Sequence, residues 1–285
     1  GPARGRGAPM NALGRSTSER AAMLGVIALA VVWTLPLAWV LALSFKPNEQ
    51  LQLGTAVWWA APFTLRNYAD ILLASQLLGW TVNSIIVASV QTLIVLVLSS
   101  LAGYAFARLE FPGRRWLYAA VLAGLAIPQA GYVAPLHRMF ADWGLHNTHA
   151  ALILPGIAAP FGVFLMTQYF KAVPVELEEA ALLDNASRWT VFTKVLLPMS
   201  VPAQATLGIF TFLGAWNDYL WPLMSATKPA MYTLSLGLAS MQSNFAQSEG
   251  LGFLMAQAVF AAVPVLLLYS FFQRHIVAAV SGGVR

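Results

Sequence analysis

Apolar runs of about twenty residues alternate along this chain with short polar connections, the pattern of helices that cross a bilayer. Six runs qualify: Leu24 to Leu43, Ile85 to Ala105, Trp116 to Leu136, Ala150 to Phe170, Val201 to Leu223 and Leu254 to Phe272. They predict an all-α, polytopic membrane protein with six transmembrane helices. Prolines interrupt several runs, at Pro36, Pro128, Pro155, Pro160 and Pro264. In a membrane these predict kinks whose freed carbonyls are satisfied by neighbouring helices. The connections at 44–82 and 225–252 are long, and the one around "HRMFADWGLHNTH" is short. No internal repeat, heptad run or low-complexity segment breaks the pattern.

Composition sharpens this reading. Of 285 residues 59% are apolar and 9% charged, with a mean hydropathy of +0.68, beyond an ordinary soluble domain. The net charge of +5 does not indicate nucleic acid, because the basic residues form no aromatic-interleaved stripe. They set topology instead. Six crossings put both termini on one side. With that side cytoplasmic, only Lys46, Arg66, Arg138 and Lys228 of the sixteen Lys and Arg fall outside, leaving twelve inside. The expected organisation is a cytoplasmic tail over 1–21, a six-helix domain over 22–275 and a cytoplasmic tail over 276–285. "GPARGRGAP" reads as an appended remnant with Met10 the expected native start, and the apolar run from Met23 lacks a small-residue cleavage site, so it is expected to remain as a spanning helix. With no cysteine, disulfides, thiolate metal sites, iron–sulfur clusters and a cysteine nucleophile are excluded.

One cytoplasmic segment departs from the apolar background. "VPVELEEAALLDNASRWTVFTKVLLP", Val173 to Pro198, holds four of the eleven carboxylates. Pro174 suits a first helical turn, Glu176, Glu178 and Glu179 suit its positive end, and Ala180 to Leu183 propagate the helix. Asn185 tolerates the left-handed conformation of a residue just past a helix end, and Ser187 can cap a second helix ended by Pro198 and Pro202. Two short helices joined by a tight turn, with one apolar side at the membrane face, suit docking in a partner's groove.

This segment resembles the "EAA" loop of the inner-membrane permease subunits of ATP-binding-cassette importers, and within them the carbohydrate-type permeases similar to the second maltose permease subunit. The motif reads Glu179-Ala180-Ala181, Asp184, Asn185 where Gly is usual, Ala186, and Leu197-Pro198. The resemblance extends through "NYADIL", "NSIIVA", "AGYAFARLEFPGRR", "GLHNT", "WNDYLWPL" and the terminal "SGGVR". It implies the type I importer permease fold and a place in a bacterial or archaeal cytoplasmic membrane. The implied partners are a second homologous permease subunit, two ATP-binding-cassette ATPase subunits and an extracytoplasmic solute-binding protein. On this resemblance Glu178, Glu179, Ala180, Ala181, Asp184, Asn185, Ala186 and Pro198 form the ATPase-coupling site, with Glu179 the anchor and Ala180 and Ala181 allowing close approach. Closure of the ATPases around ATP then rocks the permease pair between inward- and outward-facing states.

The remaining chemistry is sparse. No Gly-rich phosphate loop with Lys-Ser/Thr occurs, so no cofactor is expected in this chain, and ATP and Mg belong to the partner ATPases. The chain is expected to be a transport subunit and not an enzyme. His146 and His149 read as surface histidines that lack a third ligand, and no metal site is expected. Asp218 is the one acid inside an expected span; it reads either as structural, within the aromatic belt of Trp216, Tyr219 and Trp221, or as functional. Trp216, Asn217, Asp218 and Tyr219 are candidate translocation-pathway residues. Ser240, Gln242, Ser243 and Asn244, in the loop at 225–252, are candidate contacts for the binding protein. The resemblance points to a sugar or oligosaccharide, with a phosphorylated polyol such as glycerol phosphate, or an ion-coupled secondary carrier, as the alternatives.

Overall fold

The computed structural model describes residues 17–52, 59–73, 76–245 and 250–282, with side chains described for 20–51, 59–73, 76–241, 250–267 and 269–270. Among the described residues every regular element is helical: α1 (Thr17–Ser44), α2 (Asn48–Gln52), α3 (Arg66–Leu73), α4 (Gln76–Arg108), α5 (Arg114–Ala123), α6 (Gln129–Asp142), α7 (His149–Ile157), α8 (Pro160–Ala172), α9 (Glu176–Leu183), α10 (Arg188–Val191), α11 (Leu197–Met199), α12 (Val201–Asn217), α13 (Leu220–Ser225), α14 (Leu234–Phe245) and α15 (Leu251–Gly282).

The expected spans differ in form, and several are broken as their prolines suggest. Among the described residues two helices, 20–44 and 76–108, are long and apolar enough to cross a membrane alone. Three further pairs are bent, by 100° between 114–126 and 129–142, by 44° between 149–157 and 160–172, and by 72° between 188–199 and 201–217. Counting each pair as one span gives five. The expected run Trp116 to Leu136 breaks because Pro128 offers no N–H and forces Ile127 into an extended conformation, φ −89° and ψ 111°. Ala150 to Phe170 breaks at Ala158 and Ala159, ahead of Pro160 at the first turn of α8. Val201 to Leu223 stops at Asn217, where Asp218 turns extended and α13 starts anew. Pro36, Pro155 and Pro264 instead lie within helices.

α4 is the organiser, packed along α8 and α12 and also touching α7 and α14. It approaches α8 closely because both present small residues: a Cβ added at Gly103 would lie 2.6 Å from the Met166 Cβ. Two apolar clusters occupy opposite ends of α4. One gathers Leu77, Trp80, Trp216, Leu234, Leu238 and Phe253; the other gathers Val95, Met166, Phe170, Phe192, Leu196 and Leu207. The segment expected as a long loop at 225–252 is largely helical and packed, because α14 carries Leu234, Leu236, Leu238 and Met241 into the interior. Gly237 lets it lie flat on Trp80, where an added Cβ would run into the indole.

A polar knot closes the first cluster's end of the molecule. Lys46 is fully buried, donating to the carbonyls of Ala60 and Pro62 with Nζ 4.4 Å from the centre of the Phe63 ring. Asn67 donates to Ser44 O (2.8 Å) and Lys46 O (3.0 Å), and Asn48 Oδ1 accepts from Gly252 N (2.8 Å). The end of α1 is thereby joined to the start of α15, and the two helices pack together. Around them large apolar side chains face outward, Trp33 at 74% exposure among them, as a lipid-facing surface requires.

Candidate coupling site and polar cavity

α9 starts at Glu176, two residues after Pro174, with Glu176, Glu178 and Glu179 in its first turn. It ends as the residue types dictate. Asn185 holds φ 58°, Asn185 N–H donates to Leu182 O and Ala186 N–H to Ala181 O, both at 3.0 Å. These are the paired bonds of a Schellman cap, with Ala181 and Ala186 facing the same apolar cluster. Ser187 then caps α10, its Oγ accepting from Thr190 N at 3.1 Å. The second helix ends at Met199, between Pro198 and Pro202 as expected, with Pro198 inside its last turn. It passes through a π turn at Phe192–Leu196 into α11, with Leu197 N–H bonded to Phe192 O, a register that accommodates a ring that cannot donate and would crowd the carbonyl four residues back. The sharp break that follows is satisfied by side chains: Tyr169 Oη donates to Met199 O (2.6 Å) and Gln204 Nε2 to Leu197 O (2.8 Å).

The outer face of this helical pair is apolar and open. Leu177, Leu182, Leu183 and Trp189 are exposed, Leu183 at 84% and Trp189 at 64%. Glu179, Ala180, Asp184 and Asn185 are exposed beside them, whereas Ala181 and Ala186 are half-buried. Glu178 turns the other way. It is buried against Arg108 at the end of α4, Glu178 Oε1 in direct contact with Arg108 Nε, while Arg108 Nη2 donates to Val173 O at 2.6 Å. Burial pushes the Glu178 carboxyl above its ordinary value, against the pull of Arg108 and, more weakly, Arg188. Tyr104, one turn before Arg108, donates to Arg188 O at 3.4 Å and packs on Phe192. Arg108 was absent from the sequence-derived site. The signal that could have found it is a lone cation at the end of an apolar run facing an acid-rich loop.

Residues at the three breaks, Gln129 just after Pro128, Ala158 and Asp218, line one cavity of about 540 Å³. Gln91, Gln129, Tyr132, Asn217, Asp218 and Tyr219 give it polar and aromatic walls. Irregular backbone at membrane depth is tolerated where it lines such a space. Asp218 serves two structural ends here, lining the cavity and capping α13 with Oδ1 accepting from Trp221 N at 3.4 Å. Trp216 is elsewhere, 2% exposed in the core and stacked on Phe212 at 5.9 Å.

His146 and His149 do not share a helical face. His146 precedes α7 and pairs with His137, with ring centres 4.5 Å apart, and His149 Nε2 lies 3.1 Å from Asn83 Oδ1. No group of three or more potential metal-binding side chains occurs among the described residues. Ser240 lies on α14, its Oγ donating to Gly237 O at 2.7 Å. The side chains of Gln242, Ser243 and Asn244 lie outside those described, as do residues 246–249 altogether.

Residues 96–282 match the family described as binding-protein-dependent transport system inner membrane component. The chain is 36% identical over 268 residues to the diacetylchitobiose uptake system permease protein NgcG of Streptomyces coelicolor, covering 90% of this chain and 86% of that protein. It is 34% identical over 266 residues to the arabinooligosaccharides transport system permease protein AraQ of Halalkalibacterium halodurans, covering 92% and 95%. The fold is similar to a chain of a bacterial ABC transporter involved in the import of the acidic polysaccharide alginate, with a TM-score of 0.78, 21% identity and coverage of 92% and 98%.

Proposed function

From the premise that this chain belongs to the family of binding-protein-dependent transport system inner membrane components, we propose that it is the permease subunit through which an ATP-driven importer passes a sugar or oligosaccharide. The observation that carries the coupling half is the open apolar face of Leu177, Leu182, Leu183 and Trp189, set beside Glu179 and held by the Asn185 turn. An ATPase subunit docks there. The carbohydrate half rests on the relatives named for diacetylchitobiose and arabinooligosaccharide uptake, and the alternatives of a phosphorylated polyol or an ion-coupled carrier gain no support from them.

Six crossings complete the reading, with α15, apolar over 251–267, as the sixth. The joining of the end of α1 to the start of α15 makes these packed helices antiparallel, which supports an even number of crossings. Residues 1–21 and 276–285 are then cytoplasmic tails flanking the domain over 22–275, with the coupling loop at 173–198 inside and the segment 225–252 outside. A second homologous permease, two ATPases carrying ATP and Mg, and a solute-binding protein complete the importer. The cavity bounded by Asn217, Asp218 and Tyr219 lies on the translocation pathway, and Ser240, Gln242, Ser243 and Asn244 face the binding protein. The test is reconstitution of the complex in lipid with its binding protein and a panel of oligosaccharides. ATPase stimulation by at least one loaded sugar is expected, and loss of ATPase recovery in Glu179→Lys. A complex that yields no ATPase partner, or hydrolysis indifferent to every sugar, overturns the reading.

A further inference from the structure

α4 runs unbroken from the coupling helices to the opposite face. At one end Tyr104 and Arg108 hold the coupling loop: Arg108 pairs with Glu178 and donates to Val173 O, and Tyr104 donates to Arg188 O. At the other end Trp80 Nε1 donates to Pro229 O (2.7 Å), Asn83 Nδ2 to Ala230 O (2.9 Å) and Tyr232 O (3.0 Å), and Ser84 Oγ accepts from Leu234 N (2.8 Å). The three bent pairs can change shape at their breaks. α4 has no proline and no such break, so a displacement at one end reaches the other.

The ion pair is enclosed, with side-chain exposures of 14% for Arg108 and 11% for Glu178. Glu178 faces away from the exposed docking face and spends its charge inside the subunit. A surface acid that merely solubilised α9 would point outward.

We propose that Arg108 is a positioning residue for transport: it locks the coupling helix α9 to α4, so that movement imposed by the ATPase is carried along α4 to the 229–234 segment at the opposite face. The inference rests on the permease reading above.

The chain lacks cysteine, so Lys228→Cys places a single thiol in it, next to the segment held by Trp80 and Asn83. The assembled transporter is reconstituted, and reaction of that thiol with an impermeant reagent is followed with and without a non-hydrolysable ATP analogue. With Arg108 present, the nucleotide changes the labelling rate. In Arg108→Gln the ATPase still copurifies, the nucleotide-dependent change is lost, and sugar transported per ATP hydrolysed drops severalfold. Arg108→Lys, which keeps the charge but not the two-pronged contact, falls between. Should Arg108→Gln fail to assemble, Arg108→Lys and Glu178→Gln decide: a reduced labelling change in either supports the lock, and full changes in both overturn it. An Arg108→Gln complex that retains its ATPase and responds to nucleotide like the parent also overturns it. An Arg108-containing complex that holds its ATPase but shows no nucleotide-dependent labelling change likewise overturns the lock, whereas one that yields no ATPase at all brings down the permease reading on which the lock depends.

Discussion

Asn185 at φ 58° stands where an L-residue normally pays about 1–2 kcal/mol, a penalty that Asn softens through its short polar side chain and Gly avoids. Asn185→Gly is therefore expected to leave thermal stability and transport near normal. Asn185→Val, β-branched at positive φ, should cost about 1–2 kcal/mol and misalign α9 and α10. Thermal unfolding of the purified subunit and transport assays in parallel would check both; unimpaired coupling in the Val variant would contradict the turn's importance. The turn was legible because its chemistry is local: Asn, then Ala, then a capping Ser. The Arg108–Glu178 pair was harder to read, since a lone cation at the end of an apolar run facing an acid-rich loop does not say which of Glu176, Glu178 and Glu179 turns inward to meet it. Its removal carries a pH signature. Without Arg108, burial acts on Glu178 against only the weaker pull of Arg188 and raises its folded-state pKa further above the unfolded value, so the folded state favours the neutral acid. The penalty is then absent below the unfolded pKa and grows as pH rises through the folded one. The stability deficit of Arg108→Gln is expected to be larger at about pH 8 than at about pH 5.5, read by melting both proteins across that range. A constant deficit would contradict this sign.

At the scale of elements, apolar run length marked the helices well and their breaks poorly. Pro128 and Pro160 were visible as interruptions, but a bend of 100° beside one of 44° depends on tertiary packing that run length does not encode. The segment 225–252 misled for a related reason. Its Ser, Gln and Asn suggested an open loop, while Leu234, Leu236, Leu238 and Met241 pull α14 into the interior against Trp80. Gly237 makes that seat fit, because the place of a side chain there is taken by the indole. Gly237→Ala is expected to destabilise the protein by about 1–3 kcal/mol through overpacking, visible as a lower melting temperature in detergent. Gly79→Ala, where an added Cβ meets nothing within 4 Å, should not share this effect and serves as the control.

For the molecule as a whole, the all-helical membrane class and the permease family were legible from hydropathy and one extended motif. The cavity was not, because Gln91, Gln129, Asn217 and Asp218 come from distant parts of the chain and converge only around the space that residues at the three breaks line. α4 has a consequence of another kind. Its polar anchors at Asn83 and Arg108 are 25 residues apart (108 − 83), about 38 Å along a helix rising 1.5 Å per residue. A rod of fixed length between two polar ends acts as a gauge of the surrounding lipid. Bent spans can absorb a thinner or thicker bilayer at their joints, but α4 can only tilt, and tilting drags both anchored segments with it. Transport is therefore expected to peak in vesicles of intermediate acyl-chain length and fall in both short-chain and long-chain lipids at constant headgroup, while ATPase attachment stays unchanged. A flat response across the series would mean that the two ends of the rod move independently of the membrane's width.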